Sequence, residues 1–379
     1  MRMCLIGGGG YFGQNLAMQL QKEGHFVVAL DLNFPKFDGL DLDLVKLQKV
    51  KGSVLDPHSL DEALQDCDAC FHLAGYGMSG GASLEREKIM LINVKGTDLV
   101  MDHCVQNGVK RFVFASSIGV IFGHKEVYDI DESEPYLTQF MNPYCESKCI
   151  AEQKVLKMNG KGDLKTVALR FRGIYGPGEP RSTLRTADMC MRGFIKATFE
   201  KSEPCLTQYS SMKNSAYAMR LAEEALRKEN SPAAGQPYNI VDDGPPVEAI
   251  PFWFPIMDAL EITRPSFKIP YHLAYFFAIV CELLYYVFKI EPMFTRFEVN
   301  LISLTHTFNI SKAKRDLGYA PMENHDLTET IVFLKNYYKQ KELEEVKDDG
   351  ALDKDQQRLK LLIGSVAVLW SLYHYFFLV

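Results

Sequence analysis

A glycine-rich segment between the first predicted strand and the first predicted helix constrains the fold more than any other feature of the sequence. It reads Gly7-Gly8-Gly9-Gly10-Tyr11-Phe12-Gly13, with Gly7, Gly10 and Gly13 at three-residue intervals. Glycine there permits a tight strand-to-helix turn, close approach of the backbone to a pyrophosphate, and close helix–sheet packing. The N–H groups that open the helix favour an anion. The segment therefore predicts a dinucleotide-binding unit, with Tyr11 and Phe12 beside the cofactor.

An acidic residue indicates which dinucleotide binds. Asp31 follows the strand-like run Phe26–Leu30, about 20 residues beyond the glycines, where dinucleotide-binding folds place a ribose ligand. A carboxylate at this point accepts hydrogen bonds from the ribose hydroxyls and repels a 2′-phosphate. NAD is therefore favoured over NADP, and a solvated acid at the strand end is the alternative interpretation.

Short apolar runs alternate with helical stretches in the first half of the chain, a pattern typical of a parallel sheet. The strand-like runs are Met3–Ile6, Phe26–Leu30, Ala69–Leu73, Arg111–Ala115 and Thr166–Arg170, and the helical stretches are 11–23, 84–106 and 142–158. We expect an α/β fold: a Rossmann-type, doubly wound parallel sheet with a smaller C-terminal substrate lobe and a C-terminal transmembrane helix. The predicted divisions are 1–180 for the NAD-binding domain, 181–338 for the substrate lobe, 339–360 for a charged linker and 361–379 for the anchor.

The end of the chain predicts a membrane anchor. Leu361–Val379 has no charged residue over 19 positions, which is long enough for one spanning helix. A buried soluble helix is the alternative, but it fits poorly because the segment is apolar on every face. No secretory signal precedes the first strand, so we expect the body of the protein to face the cytosol. So short a span favours the endoplasmic reticulum over mitochondrial or peroxisomal membranes.

A second apolar stretch, Tyr271–Ile290, lies in the predicted substrate lobe between two prolines. Only His272, Glu282 and Lys289 interrupt it, and it is short for a spanning helix. Two interpretations stay open. One is a helix that dips into the membrane beside the mouth of the substrate site, and the other is a buried helix or the interface of a homodimer.

The overall composition argues against several classes of partner. The net charge is -6 and no basic tract with interleaved aromatics occurs, so no nucleic-acid surface is predicted. Nine cysteines, an odd number scattered over a long chain, indicate reduced thiols in a cytosolic compartment. Cys67 and Cys70 form a C-x-x-C, but no second pair follows at zinc-site spacing, so no metal site is predicted.

A tyrosine and a lysine form the candidate catalytic pair. Tyr144 and Lys148 lie four residues apart in a predicted helix, and hence on one helical face. A tyrosine is a poor base at its usual pKa of about 10, and we expect the Lys148 ammonium to lower that pKa. Ser116 and Ser117 follow the run Arg111–Ala115, at the carboxyl end of a strand where open α/β sheets bind ligands. A serine hydroxyl there can bind the substrate oxygen while Tyr144 exchanges its proton.

Beyond these residues, the chain resembles the extended short-chain dehydrogenases/reductases of the 3β-hydroxysteroid dehydrogenase/isomerase type, and most of all short-chain dehydrogenase/reductase family 42E. The motifs that carry the resemblance are His72-Leu73-Ala74, Tyr76-Gly77-Met78-Ser79-Gly80, Asn93-Val94-Lys95-Gly96-Thr97, Ser116-Ser117-Ile118-Gly119-Val120-Ile121-Phe122-Gly123 and Ile174-Tyr175-Gly176-Pro177-Gly178. The resemblance implies Ala74 beside the cofactor, Ser117 as the active hydroxyl, and Lys148 on the nicotinamide ribose. It implies NAD-dependent interconversion of a hydroxyl and a ketone on a steroid or sterol-like substrate, at a membrane.

Three positions depart from the pattern of that family. Ser53 stands where a carboxylate usually follows the third strand, Phe171 replaces a proline after Arg170, and Ser211 replaces a histidine near the substrate lobe. Asn93 either positions a helix backbone or water for proton return, or makes a structural hydrogen bond. Two other functions stay open: a catalytically silent NAD-binding scaffold at a membrane, and a nucleotide-sugar epimerase or dehydratase.

Overall fold

The computed structural model describes residues 1–201, 203–322 and 324–345. The strands, numbered in chain order, are β1 Arg2–Ile6, β2 Phe26–Asp31, β3 Leu47–Lys51, β4 Ala69–His72, β5 Arg111–Ser117, β6 Val127–Ile130, β7 Lys165–Phe171, β8 Ile174–Tyr175, β9 Ala197–Glu200, β10 Leu206–Thr207, β11 Ser210–Ser211, β12 Gln236–Ile240, β13 Val247–Glu248, β14 Phe267–Pro270 and β15 His306–Phe308. The α-helices are α1 Tyr11–Lys22, α2 Pro57–Leu64, α3 Arg86–Met90, α4 Gly96–Gln106, α5 Pro143–Lys157, α6 Thr183–Met191, α7 Met212–Leu226, α8 Phe254–Ala259, α9 Tyr271–Phe288, α10 Arg296–Ser303, α11 Ser311–Leu317 and α12 Thr328–Glu345.

The largest sheet has seven parallel strands in the order β12-β7-β5-β4-β1-β2-β3. From β1 the chain adds strands first on one side, through β2 and β3, and then on the other side, from β4 onwards. The reversal occurs between β1 and β4, and in open α/β sheets the crevice above such a switch point binds the ligand. The predicted Rossmann-type sheet is therefore confirmed, and its ligand crevice is located.

Helices cover both faces of this sheet because successive strand residues point to opposite sides. On β1, Leu5 belongs to the core cluster that includes α1 and α7, whereas Cys4 belongs to the cluster that includes α2, α4 and α5. Both side chains are fully buried. Burial on both faces also explains why the strands read as continuous apolar runs in the sequence.

Smaller sheets form a second layer of structure within the compact unit Met1–Ile331. A four-stranded sheet has the order β13-β10-β15-β6, and the pairs β11-β8 and β14-β9 stand separately. Strand β12 and helix α7 follow residue 180 yet join the large sheet, while β6 precedes residue 180 and joins the four-stranded one. Segments from both sides thus build both sheets, and the division at residue 180 stays a prediction.

Of two predicted helices, one is interrupted in the structure and the other forms nearly over its predicted length. The predicted helix 84–106 is a composite of α3, a π-helical turn at Leu91–Lys95, and α4. The predicted apolar helix 271–290 forms as α9, and it is the only described helix long and apolar enough to cross a membrane. The predicted linker lies mostly, and the predicted anchor 361–379 entirely, outside the described residues.

Candidate active site

The glycine segment forms a tight turn between β1 and α1. Gly7 has a φ of +89°, and a Cβ on it would lie 2.7 Å from the backbone nitrogen of Ala74. A Cβ on Gly13 would lie 2.4 Å from the carbonyl oxygen of Gly7, so neither position can carry a side chain. Gly10 caps α1, and the nearest atom to a Cβ there would be 3.5 Å away. The protein itself leaves space above Gly10, next to the N–H groups of the first helical turn, which fits a bound pyrophosphate.

Asp31 lies beside this turn at the end of β2. Its Oδ2 accepts a hydrogen bond from the Gly9 N–H at 3.0 Å, and its Oδ1 receives a long bond of 3.4 Å from the Asn33 N–H. The carboxylate is half-buried, so Oδ1 has capacity for a further donor. Asp31 therefore stabilises the glycine turn in addition to its predicted contact with ribose.

The predicted side-chain neighbours of the cofactor make protein contacts of their own. The Tyr11 hydroxyl donates to the Pro177 carbonyl at 2.5 Å, and the Phe12 ring packs edge-on against Phe171 at 5.4 Å. Both contacts connect the start of α1 with the end of β7 and the segment after β8. Tyr11 and Phe12 therefore pack against these segments, and their contact with the cofactor stays a prediction.

The candidate catalytic residues lie on α5. Asn142 caps this helix, since its side chain accepts the Cys145 N–H at 2.9 Å, and Pro143 occupies the first helical position. The Lys148 side chain is 4 % exposed, and its ammonium donates to the Ala115 carbonyl at 2.7 Å. Burial, reinforced by the positive charge of Arg181, lowers the pKa of Lys148 to about 7.

Lys148 and the glycine turn face the same crevice. Ala74 contacts Gly7, as described above, and a Cβ on the next residue, Gly75, would lie 3.6 Å from the Lys148 Nζ. The end of β4 thus bridges the predicted cofactor turn and the predicted catalytic lysine at the switch point. The structure therefore brings together two sets of residues that are more than a hundred positions apart in the sequence.

The predicted effect of Lys148 on Tyr144 was wrong. Burial raises the pKa of the half-buried Tyr144, and the cation that counteracts this rise is Arg181 rather than Lys148. The Lys148 ammonium is directed at the Ala115 carbonyl instead. Arg181 is exposed and comes just before α6, in a turn where the buried Glu179 carboxylate accepts the Arg181 N–H at 3.0 Å. Sequence reasoning missed Arg181 because no motif marks it.

The two candidate serines have different environments. Ser116 is buried, and its hydroxyl donates to Glu152 at 2.5 Å, so it belongs to the protein interior. Ser117 is half-buried at the end of β5, and its Oγ accepts the Gly119 N–H at 3.2 Å. Among the described residues, the Ser117 hydroxyl proton has no acceptor. Ser117 is therefore the serine with a hydrogen bond to offer a substrate oxygen.

A buried ion pair joins α5 to β7. Arg170 and Glu152 are 1 % and 0 % exposed, and the guanidinium donates to the carboxylate in three contacts, at 2.6, 2.9 and 3.2 Å. Tyr136 donates to the same carboxylate at 2.9 Å. Glu152 follows Lys148 by one helical turn, and its charge opposes the lowering of the pKa of Lys148. The motifs of the sequence did not point to this network.

Sequence similarity settles the family. The model of the 3-beta hydroxysteroid dehydrogenase/isomerase family matches residues 4–271, which is more than half of the chain. The chain belongs to the 3-beta hydroxysteroid dehydrogenase/isomerase family. The resemblance drawn from the motifs is thereby confirmed, and the protein is an oxidoreductase of the short-chain dehydrogenase/reductase type.

Individual relatives cover most of the chain. Short-chain dehydrogenase/reductase family 42E member 1 of Xenopus laevis is 38% identical over 333 residues, covering 84% of each chain. The 3beta-hydroxysteroid dehydrogenase/Delta(5)-Delta(4) isomerase 1 of Caenorhabditis elegans is 30% identical over 99% of this chain and 87% of its own. Among solved structures, the UDP-glucose 4-epimerase of Thermus thermophilus in complex with NAD has a TM-score of 0.67 at 20% identity, covering 88% of this chain and 99% of that one. The likeness to the epimerase structure shows a shared fold.

Within the 3-beta hydroxysteroid dehydrogenase/isomerase family, the unusual residues of this chain have local structural roles. The Ser53 Oγ accepts the Leu55 N–H at 3.2 Å, and Asp56, the next carboxylate along the chain, caps α2. Phe171 is the partner of Phe12, and the Ser211 Oγ caps α7 by accepting the Asn214 N–H at 3.1 Å. Each of the three residues thus makes a contact within the protein.

Asn93 makes structural hydrogen bonds, and its role in proton return stays a prediction. It is 2 % exposed within the π-helical turn, and its Oδ1 accepts the Tyr76 N–H at 2.8 Å. Its Nδ2 donates to the Tyr76 carbonyl and to the Ser147 Oγ, each at 2.9 Å. The Ser147 hydroxyl in turn donates to the Tyr144 carbonyl at 2.7 Å. Asn93 therefore joins the loop after β4 to the first turn of α5.

No cluster of three or more histidine, cysteine, aspartate or glutamate side chains that could hold a metal occurs in the part of the chain that the structure describes. Cys67 and Cys70 are buried free thiols there.

Proposed function

We propose that this protein is a membrane-associated, NAD-dependent dehydrogenase that interconverts a hydroxyl and a ketone on a steroid or sterol-like substrate. The observation that carries the proposal is the convergence of Lys148 and the glycine turn on the two sides of Ala74 and Gly75. The 3β-hydroxysteroid name of the Caenorhabditis elegans relative supports the substrate class. Membrane association rests on the apolar segment 361–379, together with the apolar helix α9.

The cofactor would occupy the crevice above the switch point. Gly7, Gly10 and Gly13 would admit its pyrophosphate, Asp31 its adenosine ribose, and Lys148 its nicotinamide ribose. When bound, NAD supplies the hydride acceptor. The free capacity of Asp31 Oδ1 supports NAD over NADP. The ribose hydroxyls of NAD can donate hydrogen bonds to this carboxylate, whereas the 2′-phosphate of NADP would be repelled by its charge.

The residues of α5 and β5 would handle the proton and the reacting oxygen. Tyr144 as phenolate takes the proton of the substrate hydroxyl, and Ser117 donates a hydrogen bond to the oxygen as negative charge develops on it. In ketone reduction the same groups act in reverse, and Tyr144 returns the proton. Arg181 assists in both directions because its charge stabilises the phenolate.

Turnover with defined substrates tests this proposal. The full-length protein in mild detergent is incubated with NAD or NADP and a panel of 3β-hydroxysteroids and sterols, and NADH or NADPH formation is followed by fluorescence. We expect NAD-dependent turnover that falls about 100-fold or more in Tyr144→Phe, the usual effect of losing an acid–base group. Tyr217→Phe, on α7, serves as the matched control and should retain activity. An unchanged rate in Tyr144→Phe would refute the assigned mechanism.

The same panel separates the two other candidate functions. UDP-glucose is included as ligand, because a nucleotide-sugar epimerase would be stabilised by it against thermal unfolding and not by sterols. A silent scaffold would bind NAD in calorimetry, yet no substrate in the panel would yield NADH.

A further inference from the structure

Two arginines at the end of β7 are buried, and they differ in their counter-ions. Arg170 and Arg172 are 1 % and 5 % exposed. Arg170 pairs with Glu152, as described above. The described partners of the Arg172 guanidinium are a histidine, a backbone carbonyl and an aromatic ring, and no carboxylate is among them. A buried cation without a counter-ion costs free energy, so the position of Arg172 needs an explanation that Arg170 does not.

Neutral groups hold the Arg172 guanidinium in place. Its Nε donates to the Nε2 of His306 at 2.7 Å, and its Nη2 donates to the Leu301 carbonyl at 3.2 Å. The centre of the Tyr209 ring lies 4.7 Å from the Cζ. The next residue, Gly173, has a φ of +42°, and a Cβ on it would lie 3.0 Å from that ring. The cation is therefore fixed in one position by groups that carry no negative charge.

The titratable neighbours of Arg172 do not compensate its charge. Burial, reinforced by the charge of Arg172, lowers the pKa of His306 well below its usual value and that of His325 to about 4. Burial raises the pKa of Tyr209, so this side chain is also neutral at pH 7. The Asp242 carboxylate accepts the His325 N–H at 3.3 Å and has no hydrogen bond to the guanidinium.

Part of the guanidinium is free to bind a ligand. A guanidinium has five N–H donors in a planar fork, and the two bonds described above use only one on Nε and one on Nη2. The Nη1 of Arg170 is one of the enclosed polar atoms without a partner, whereas the Nη1 of Arg172 is not. Among the described residues the Nη1 of Arg172 has no acceptor, and it is not sealed in the interior.

Arg172 adjoins the candidate active site through its backbone and through its side chain. The preceding residue, Phe171, is the register partner of Ser117 where β7 pairs with β5. The His306 ring, which accepts the Arg172 Nε, stacks on the Phe122 ring at 4.2 Å. Phe122 lies five residues after Ser117 in the same loop. The unpaired cation is therefore next to the loop that carries the candidate substrate-binding hydroxyl.

We propose that Arg172 determines substrate specificity by binding an anionic group, and that the substrate is an apolar alcohol or ketone that also carries a carboxylate. A carboxylate accepts two parallel N–H bonds from a guanidinium fork and supplies the charge that the described protein does not. The inference rests on the proposed function, because it adds an acidic group to the steroid or sterol-like substrate of the same site.

A comparison of acids with their own esters tests this inference on the unsubstituted protein. The full-length protein in mild non-ionic detergent is assayed with NAD and two sets of compounds, 3β-hydroxysteroids that bear a carboxylate and 3-hydroxy fatty acids. Each acid is compared with its methyl ester, which keeps the reacting hydroxyl and removes the charge. We expect kcat/KM to be about 10-fold or more higher for the acid, the usual weight of a hydrogen bond to a charged group. Equal values for acid and ester would overturn the inference.

Substitution of Arg172 separates recognition of the anion from a structural role. Arg172→Met removes the charge at similar length, and we expect the acid-to-ester ratio of kcat/KM to fall about 10-fold while the NAD affinity stays at the parent value. Arg172→Lys keeps the charge and should restore part of the ratio. Arg220→Met, on α7, removes an arginine that pairs with Glu224 and should keep the parent ratio. An unchanged ratio in Arg172→Met, with acid and ester equally slowed, would show a structural role only.

The outcomes distinguish this inference from the proposed function. If neutral hydroxysteroids react as fast as the acids, the inference fails and the proposed function stands. If only the 3-hydroxy fatty acids react, and faster than their esters, the steroid substrate is refuted and the role of Arg172 stands. If no compound reacts or raises the thermal midpoint of the NAD-bound protein, both proposals fail.

Discussion

Helices α5 and α9 depart from the ordinary burial pattern of proteins in opposite directions. Around α5, charge is buried: Lys148, Glu152 and Arg170 are at most 4 % exposed. Along α9, apolar surface is exposed, and Phe276 and Val287 keep half or more of their area in contact with the surroundings. Burying charge and exposing apolar groups both cost free energy. Each helix therefore needs a compensating interaction.

The two compensations come from different places. For α5 the chain supplies its own, because Arg170 neutralises Glu152 and the Ala115 carbonyl accepts the Lys148 ammonium. For the outer face of α9 no partner lies among the described residues. The charges of α5 are thus compensated within the protein itself, whereas the exposed face of α9 would need a surface beyond the described residues. Buried charge and exposed apolar surface are departures from the usual burial pattern, and such departures are typical of functional regions.

The largest expected effect comes from breaking the compensation of α5. Glu152→Gln leaves Arg170 buried without a counter-ion, and we expect the free energy of unfolding to fall by about 3–5 kcal/mol. Urea denaturation followed by circular dichroism measures the loss. Glu224→Gln removes a more exposed pair with Arg220 and should cost less than about 1 kcal/mol. Similar losses in the two variants would show that the buried pair of α5 contributes no more to the free energy of unfolding than the more exposed pair does.

A smaller effect tests whether burial lowers the pKa of Lys148 and so favours its uncharged form. Its pKa is lowered to about 7 in the folded protein, whereas the unfolded chain keeps the usual value of about 10.4. Between these values the unfolded state binds the extra proton, so stability rises with pH, by up to about 1.4 kcal/mol per pH unit. Below pH 7 both states are protonated and the contribution is constant.

The matched variant for this measurement is Lys148→Met, which has no titrating group. The stability difference between the parent and Lys148→Met, taken from urea midpoints of the NAD-free proteins, should shift in favour of the parent from pH 7 to pH 9. The raised pKa values of the buried cysteines affect both proteins alike and cancel in the difference. A difference that is flat over this range would mean that Lys148 stays charged when folded.

The sequence predicted the parts of the site that depend on short-range patterns. The turn at Gly7, Gly10 and Gly13, the cap at Asn142 and the Tyr144–Lys148 spacing are all local, and the structure has the corresponding turn, cap and helix. The parallel sheet also follows from local alternation of strands and helices. The roles of Tyr144, Lys148 and Ser117 in catalysis stay predictions until they are tested.

The features that sequence reasoning missed depend on contacts between distant segments. Glu152 on α5 meets Arg170 on β7, and nothing in either segment alone indicates the pairing. The π-helical turn at Leu91–Lys95 interrupts a stretch whose apolar period reads as one continuous helix. The raised pKa of Tyr144 depends on burial by the whole fold, which a four-residue spacing does not report.

A third prediction concerns Arg181, the exposed cation next to the buried groups of α5. Its charge lowers the pKa values of Tyr144 and Lys148, so Arg181→Gln should raise both. We expect the pH of half-maximal hydroxyl oxidation to move upward by about half a unit, a modest effect because the guanidinium is solvated. Arg192→Gln, at the other end of α6, should leave the pH–rate profile in place. Identical profiles for the two variants would remove Arg181 from the site.

The smallest expected effect is the change in the free energy of unfolding when an exposed residue of α9 is substituted. Phe276 and Ala278 lie two positions apart on opposite faces, 50% and 0% exposed. In lipid-free solution Phe276→Ser should change the free energy of unfolding by less than about 0.5 kcal/mol, as for an ordinary surface site. Ala278→Phe overfills a packed position and should cost about 1–3 kcal/mol. If α9 contacts a membrane as proposed, the order should reverse for vesicle binding, because Phe276→Ser removes apolar area from the exposed face of α9. A large loss of stability in Phe276→Ser would mean that this face already packs against the protein. The compensating interaction of α9 would then come from the protein itself, as it does for α5.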